Sequence, residues 1–221
     1  MHAPELMDDP GLDPAEHRRA LAGLARLNWL TGSAGLLWRA MRPLAGELPL
    51  RILDVATGCG DVPAALARRA RRAGVPIEIQ ACDISETAIA TAKAKASDIH
   101  YFRHDVLTDP LPTGFDAVTC SLFLHHLSEA SAVKLLAAMA RAGRALFVND
   151  LSRSRMNHAL VWLTCRALSR SPVVHHDGPV SVRAAFTRSE ALSLAERAGL
   201  HGADVTSKFP CRWLLSWSAP A

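Results

Sequence analysis

The segment from Arg51 to Asp61 constrains the fold of this chain more than any other. Its first part, Arg51-Ile-Leu-Asp-Val-Ala, is largely apolar and predicts a buried strand that carries the carboxylate of Asp54 at its end. Gly58-x-Gly60 follows, and then the pattern of a helix. Because glycines let the backbone approach a ligand closely, a strand, a glycine turn and a helix are typical of nucleotide cofactor sites.

Two carboxylates, Asp54 and Asp61, bracket this turn. In a dinucleotide site the turn faces a pyrophosphate, which two carboxylates would repel. They suit a ligand with a nucleoside end and a cationic end. S-adenosylmethionine (SAM), which carries a sulfonium and an ammonium group, fits that description and is the cofactor we expect.

Strand and helix patterns alternate along the middle of the chain. We predict strands at 50–56, 77–82, 99–102, 115–120 and 145–149, and helices at 62–73, from the Ser85 cap to Lys95, and at 129–141. This order predicts an α/β, Rossmann-like fold, with a mostly parallel sheet, helices on both faces and ligand sites at the carboxyl ends of the strands.

The last third has a different pattern. A helix is predicted at 156–168, loops at Ser171-Pro172 and Asp177-Gly178-Pro179, and a further helix that opens on the capping box Thr187-x-x-Glu190 and ends before Gly199. Closing strands at 203–207 and 212–217 bring the sheet to seven strands. The connection between them is too short for a crossover helix, so the final strand should be antiparallel.

Length and composition favour one main domain with appendages, since 221 residues at 49% hydrophobic content can bury one sizeable core. Residues 15–41 look helical, with a break at Gly32 and Gly35. We therefore divide the chain into an N-terminal leader and helical cap at 1–47 and a main domain at 48–221. Within the main domain, residues 151–186 form a lid-like helical insertion.

Several classes of protein are disfavoured. The formal charge of +4 is mild, and the arginines at 68, 69, 71 and 72 have no aromatic residues among them, so we expect a solvated helix face and no nucleic-acid partner. The five cysteines are far apart, which favours a reducing, cytoplasmic location. The N-terminus lacks an apolar core for secretion, and the apolar segment 159–168 is too short to cross a membrane.

Acidic residues recur at the predicted strand ends: Asp54, then Asp83, then Asp105. A carboxylate at Asp83 can accept both hydroxyls of a ribose, and Ile84 beside it belongs to the same predicted site. Asp105 is placed to accept a hydrogen bond from an adenine amino group, while the Val106 amide contacts the adenine ring. Taken alone, Asp105 would more often be a turn residue.

These segments resemble the class I SAM-dependent methyltransferases, and the resemblance is strong over 48–150 and loose over 187–217. It is carried by Asp54-Val-Ala-Thr-Gly-Cys-Gly-Asp61, Asp83, Asp105-Val106 and Phe115-Asp116-Ala-Val118. Ala56 and Asp61 are similar to the subgroup of ubiquinone/menaquinone C-methyltransferases and small-molecule O-methyltransferases. The resemblance implies that backbone near Ala56 and Ser121 holds the methionine end of SAM, and that Asp83 and Asp105 hold the nucleoside.

Methyl transfer requires an aligned acceptor and, for a hydroxyl acceptor, a base. His125 and His126 follow the fourth strand, and an imidazole titrates near neutrality. Asp150, at the end of the fifth strand, is the expected orienting carboxylate. We take His126 as the first candidate and His125 as the second; alternatively, both only cap the following helix. No metal is expected, although Asn149-Asp150 could mimic part of a metal triad.

The sequence gives weaker evidence about the methyl acceptor. Trp29, Trp38 and Trp162 could line an apolar pocket for an aromatic or lipid-tailed acceptor, or simply pack in the core. His175-His176-Asp177-Gly178 is interpreted first as an ordinary turn and second as part of a polar lid.

We predict O-methylation of a small phenolic, polyketide- or quinone-like metabolite. Alternatives are C-methylation of a phenol or quinol ring, and SAM binding without transferase activity. The sequence leaves open whether the chain forms a homodimer.

Overall fold

The computed structural model describes Leu6, Asp13 and residues 32–220 of the chain. Its centre is a seven-stranded sheet with the order β3-β2-β1-β4-β5-β7-β6. The strands are β1 Leu50–Val55, β2 Ile77–Asp83, β3 His100–Arg103, β4 Phe115–Ser121, β5 Gly143–Leu151, β6 Asp204–Lys208 and β7 Arg212–Ser218. β1 to β5 pair in parallel, and β7 runs antiparallel to both β5 and β6. The predicted fold class is confirmed.

Helices cover both faces of this sheet. They are α1 Ser33–Met41, α2 Asp61–Ala73, α3 Glu86–Lys95, α4 Glu129–Ala142, α5 Arg155–Leu168, α6 Pro172–Ala184 and α7 Arg188–Arg197, with single turns of 3-10 helix at Arg42–Leu44 and Leu124–His126. Ser85 caps α3 as predicted, and Thr187 and Glu190 form both bonds of a capping box at the start of α7. The local signals in these places agree with the packing that follows.

Two apolar clusters separate the two faces of the sheet. Ile52 of β1, Ala117 of β4 and Phe147 of β5 pack against α1, α2 and α3. Their strand neighbours point the other way, against α4 and α7. We call the first side the α1 face and the second the α4 face, because this division decides where each polar side chain at the strand ends points.

The predicted loop at Asp177-Gly178-Pro179 is wrong, because these residues lie inside α6. A Cβ built on Gly178 would lie 2.5 Å from the sulfur of Cys165 on α5, so this glycine permits close helix packing and does not form a turn. Pro172 stands in the first turn of α6, where a missing N–H costs nothing. His175 and His176 are therefore helical residues and not parts of an ordinary turn.

The N-terminal predictions are tested only in part. Residues 33–41 form α1, with Gly32 in the left-handed conformation before it, whereas most of 15–31 and Trp29 lie outside the described residues. Trp38 is buried in the core on the α1 face, whereas Trp162 on α5 is exposed. No helix among the described residues is long and apolar enough to cross a membrane.

Candidate active site

The turn between β1 and α2 has three residues in the left-handed conformation, at Ala56, Gly58 and Gly60. A Cβ on Gly60 would lie 2.7 Å from the Tyr101 hydroxyl oxygen, so protein packing requires that glycine. A Cβ on Gly58 would meet no atom within 4 Å. The space above Gly58 is thus open to a ligand, as expected for a cofactor turn.

Asp54 lies beneath this turn and is buried. Its two carboxylate oxygens accept from the hydroxyls of Thr119 and Thr57, at 2.6 and 2.7 Å. Burial raises the pKa of Asp54 to about 6, and the two hydroxyls only partly oppose that rise. Asp54 therefore acts as a buried charge under the turn, which a cationic ligand would favour in its ionised form.

Asp61, the second acid of the turn, is paired with a lysine. Its carboxylate pairs with the Lys95 ammonium on α3 at 2.5 Å, and the same ammonium donates to the Cys59 carbonyl oxygen. The interpretation of Asp61 as a partner for a cationic ligand stays a prediction beside this ion pair. The pair ties the glycine turn to α3.

Asp83 connects the glycine turn to the end of β2. One carboxylate oxygen accepts from the Gly58 amide at 2.8 Å, and the other accepts from the Ser85 amide at 2.9 Å. Each carboxylate oxygen has a further lone pair, so the group retains the capacity to accept from ribose hydroxyls. Ile84, beside it, exposes its side chain.

Asp105 has the contacts of a turn residue. Its side chain accepts from the Leu107 amide at 3.0 Å, and this hydrogen bond lowers the pKa of the carboxyl group. Its carbonyl oxygen accepts from the amides of Thr108 and Asp109, and the Val106 side chain is buried. The adenine contact expected of Asp105 and Val106 stays a prediction.

A row of polar side chains crosses the α1 face at the carboxyl ends of the strands. Alternation along each strand puts Asp54, Thr119, Ser121, Asn149 and Arg212 on that face with Ile52, Ala117, Phe147 and Leu214. The Ser121 hydroxyl and both polar atoms of the Asn149 carboxamide are buried and have no hydrogen-bond partner within the described residues. Such groups cost roughly 1–3 kcal/mol each unless a ligand satisfies them.

Sequence reasoning missed Asn149 and Arg212 as members of this row. Arg212 is buried and donates to the Ser33 hydroxyl at the start of α1, and burial lowers its pKa to about 10. A polar residue at the end of an otherwise apolar run was the available signal for Asn149. The strand pairing needed to place Arg212 cannot be read from its own surroundings in the sequence.

Asp150 is bound to His125, not to the preferred candidate His126. The His125 ring nitrogen Nδ1 lies 2.6 Å from one carboxylate oxygen, and the His125 backbone amide donates to the other at 3.0 Å. Both side chains are almost fully buried. Burial alone would raise the pKa of Asp150, but the charge and hydrogen bonds of His125 outweigh it and hold the pKa below its ordinary value.

An ionised Asp150 can only accept hydrogen bonds, so the proton of a neutral His125 ring lies on Nδ1, and Nε2 is the atom that a second protonation would involve. His126 is exposed, with its ring centroid 4.3 Å from that of His125. Helix α4 is capped by Ser128, so neither histidine is needed to cap it. The arrangement is that of an oriented general base.

The insertion lies beside this pair. α6 packs on the Leu124–His126 turn, and its Asp177 is buried and accepts from the Leu6 amide at 2.8 Å. A groove of about 510 Å³ separates parts of α5 and α6 and is lined by His158, Trp162, Arg166, Pro172, His175, His176, Pro179, Val180 and Arg183. The insertion thus packs on the turn that carries the candidate base.

Comparison with known proteins agrees with this geometry. Residues 52–145 match a methyltransferase domain model. The demethylmenaquinone methyltransferase of Thermus thermophilus is 34% identical over 107 residues, which are 45% of this chain and 47% of that protein. The ubiquinone biosynthesis O-methyltransferase of Pseudomonas aeruginosa is 25% identical over 136 residues, 58% of this chain and 51% of that protein. The chain thus spans about half the length of these relatives.

Solved structures share the fold. Human N-acetylserotonin methyltransferase in complex with SAM superposes with a TM-score of 0.68 at 15% identity, covering 93% of this chain and 57% of that one. Residues 52–145 therefore resemble a methyltransferase domain, and they lie in a sheet of the fold that SAM-dependent methyltransferases of known structure share.

Proposed function

We propose that this chain transfers a methyl group from SAM to a hydroxyl of a small phenolic, polyketide- or quinone-like acceptor. When bound, SAM supplies an electrophilic methyl carbon. Three features of the chain fit it: the open space above Gly58, the spare acceptor capacity of Asp83, and the unsatisfied hydroxyl of Ser121. The buried charge of Asp54 beneath the turn suits its cationic end.

The buried pair of His125 and Asp150 is the observation that carries this proposal. We assign His125 as the base that takes the proton of the acceptor hydroxyl at Nε2, and Asp150 as the residue that orients the ring and stabilises its protonated form. Binding of SAM alone does not require an imidazole that is hydrogen-bonded to a buried carboxylate at the end of β4, so the pair favours catalysis over simple binding.

C-methylation of a phenol or quinol ring is the second candidate. It is favoured by the similarity to a demethylmenaquinone methyltransferase, whereas the other relative is named as an O-methyltransferase. In both reactions a base ionises a hydroxyl group, so His125 would serve either. Mass spectrometry with NMR of the product separates a methoxy group from a ring methyl group.

The test uses the purified chain with labelled SAM and a panel of phenols, quinols and aromatic polyketides. We expect methylated product with the unaltered chain and with His126→Asn, and its loss with His125→Asn, while calorimetry shows SAM binding in all three. SAM binding without product from any acceptor class would overturn the assignment of transferase activity. Product formation by His125→Asn would overturn the assignment of the base.

A further inference from the structure

Helix α5 presents an apolar side to the solvent. Only Cys165 among its 14 residues is buried. Met156, Leu160, Leu163 and Ala167 recur at spacings of four, three and four and so lie along one side of the helix; Met156 and Leu163 are 76% and 59% exposed. We call these four residues the α5 stripe. A contiguous exposed apolar surface of this kind is typical of an interaction site.

Positive charge surrounds the α5 stripe. Residues 151–176 contain four arginines and three histidines and no aspartate or glutamate. Arg153 pairs with Glu190 of α7, but Arg155, Arg166 and Arg170 are exposed and form no ion pair within the described residues. The Arg166 guanidinium lies 4.0 Å from the centre of the Trp162 ring. An amphipathic tryptophan with a cation beside it is typical of the boundary between an apolar and an aqueous phase.

The groove between α5 and α6 adds to this charge. Arg166, Arg183 and three histidines line it, and none of its lining residues is acidic. It opens next to Trp162, so a cationic recess adjoins the α5 stripe. The combination offers apolar contact along the helix and anion contacts at its flank.

We propose that α5 and the adjoining groove dock the protein on an anionic membrane surface. The α5 stripe would enter the acyl region, while Arg155, Arg166 and the groove would face lipid phosphates. A second copy of the chain is the less suitable occupant, because a twofold contact through this helix would bring arginines against arginines with no acid in residues 151–176 to neutralise them. This inference does not depend on which acceptor is methylated.

The test is vesicle co-sedimentation of the full chain. One set of vesicles is phosphatidylcholine alone, and the other is phosphatidylcholine with an equal amount of phosphatidylglycerol. We expect binding to the anionic vesicles that weakens as salt is added, and much weaker binding to the neutral ones. Leu160→Asp with Leu163→Asp should lower partitioning by more than about tenfold, and Arg155→Glu and Arg166→Glu by roughly fivefold each.

Leu48→Asp is the matched control, since Leu48 is 81% exposed but lies just before β1. It should bind vesicles as the unaltered chain does. Thermal melts and SAM binding of all variants check that they fold. The proposal is overturned by absence of vesicle binding, by equal binding to both vesicle types, or by an equal loss in the Leu48 variant. It is also overturned if light scattering shows a dimer that the two leucine substitutions dissociate while vesicle binding stays unchanged.

Discussion

Replacing Asp150 by asparagine removes one charge from the buried pair while keeping the size of the side chain. The carboxylate accepts three hydrogen bonds, from Nδ1 and the amide of His125 and from the Leu151 amide. Asparagine offers one acceptor oxygen in place of two. If that oxygen faces Nδ1, the His125 amide loses its acceptor at a cost of about 1–3 kcal/mol.

The other orientation of the asparagine affects the chemistry directly. Its NH₂ group then faces Nδ1, which must become the acceptor, and the ring proton moves to Nε2. A base that already carries its proton at Nε2 cannot take one from the acceptor hydroxyl. In either orientation the negative charge that stabilises the protonated ring is lost, so we expect turnover to fall on the order of 100- to 10,000-fold.

Single-turnover methyl transfer at saturating SAM measures that loss, and calorimetry measures the SAM dissociation constant, which should not change. Urea unfolding should show a stability loss of about 1–3 kcal/mol. His126→Asn, in the same turn, is the matched control and should keep turnover within about threefold, since surface substitutions seldom disturb a fold. The reasoning would be refuted if Asp150→Asn kept turnover near that of the unaltered chain while His126→Asn lost it. His126 would then be the better candidate for the base.

Three further predictions concern Asp54, Asn149 and Gly178. The pKa of Asp54 is raised to about 6 in the folded protein, whereas the unfolded chain releases this proton near pH 3.8. The free energy of unfolding should therefore fall as pH rises from 3.8 through 6, by up to about 3 kcal/mol. Asp54→Asn should therefore raise the unfolding free energy of the ligand-free protein at neutral pH but weaken SAM binding, which in the unaltered chain should strengthen as pH rises through 6. Asn149→Leu should raise the melting temperature by removing an unsatisfied carboxamide worth about 1–3 kcal/mol, while raising KM for SAM or the acceptor; a lower melting temperature would contradict this. Gly178→Ala should lower the unfolding free energy by about 1–3 kcal/mol through the clash with Cys165, although helix propensity alone predicts a gain of about 1 kcal/mol; urea titration decides the sign.

The sequence was sufficient to predict the sheet and the cofactor turn because each depends on local patterns that agree with one another. Apolar runs of strand length, the caps at Ser85 and Thr187, and acids at successive strand ends all pointed to one α/β arrangement. The turn signal at Gly178 failed because the same residue type serves two purposes. Its packing against Cys165 from another helix decided the outcome, and no local pattern reports that contact.

The choice between His125 and His126 was beyond the sequence for a different reason. Of the two adjacent histidines in the 3-10 turn, only His125 is buried, and which one meets Asp150 depends on how the turn packs on the end of β5. Both were plausible partners before the sheet order and strand register were known. The polar row that contains Asn149 could not be predicted for the same reason, because it depends on the strand register.

The register of β5 is itself part of the site. Asn149 and Asp150 are consecutive, so they point to opposite faces: Asn149 to the polar row on the α1 face, and Asp150 with Trp213 to the α4 face beside His125. A slip of one residue would exchange them and put an aspartate where the carboxamide lies. β7 prevents that slip through seven paired positions from Ala145–Ser218 to Leu151–Arg212, and Trp213 is anchored by donating to the Phe186 carbonyl oxygen at 3.0 Å. The antiparallel strand therefore does more than close the sheet, because it fixes which polar residue lies on the α1 face and which lies beside His125.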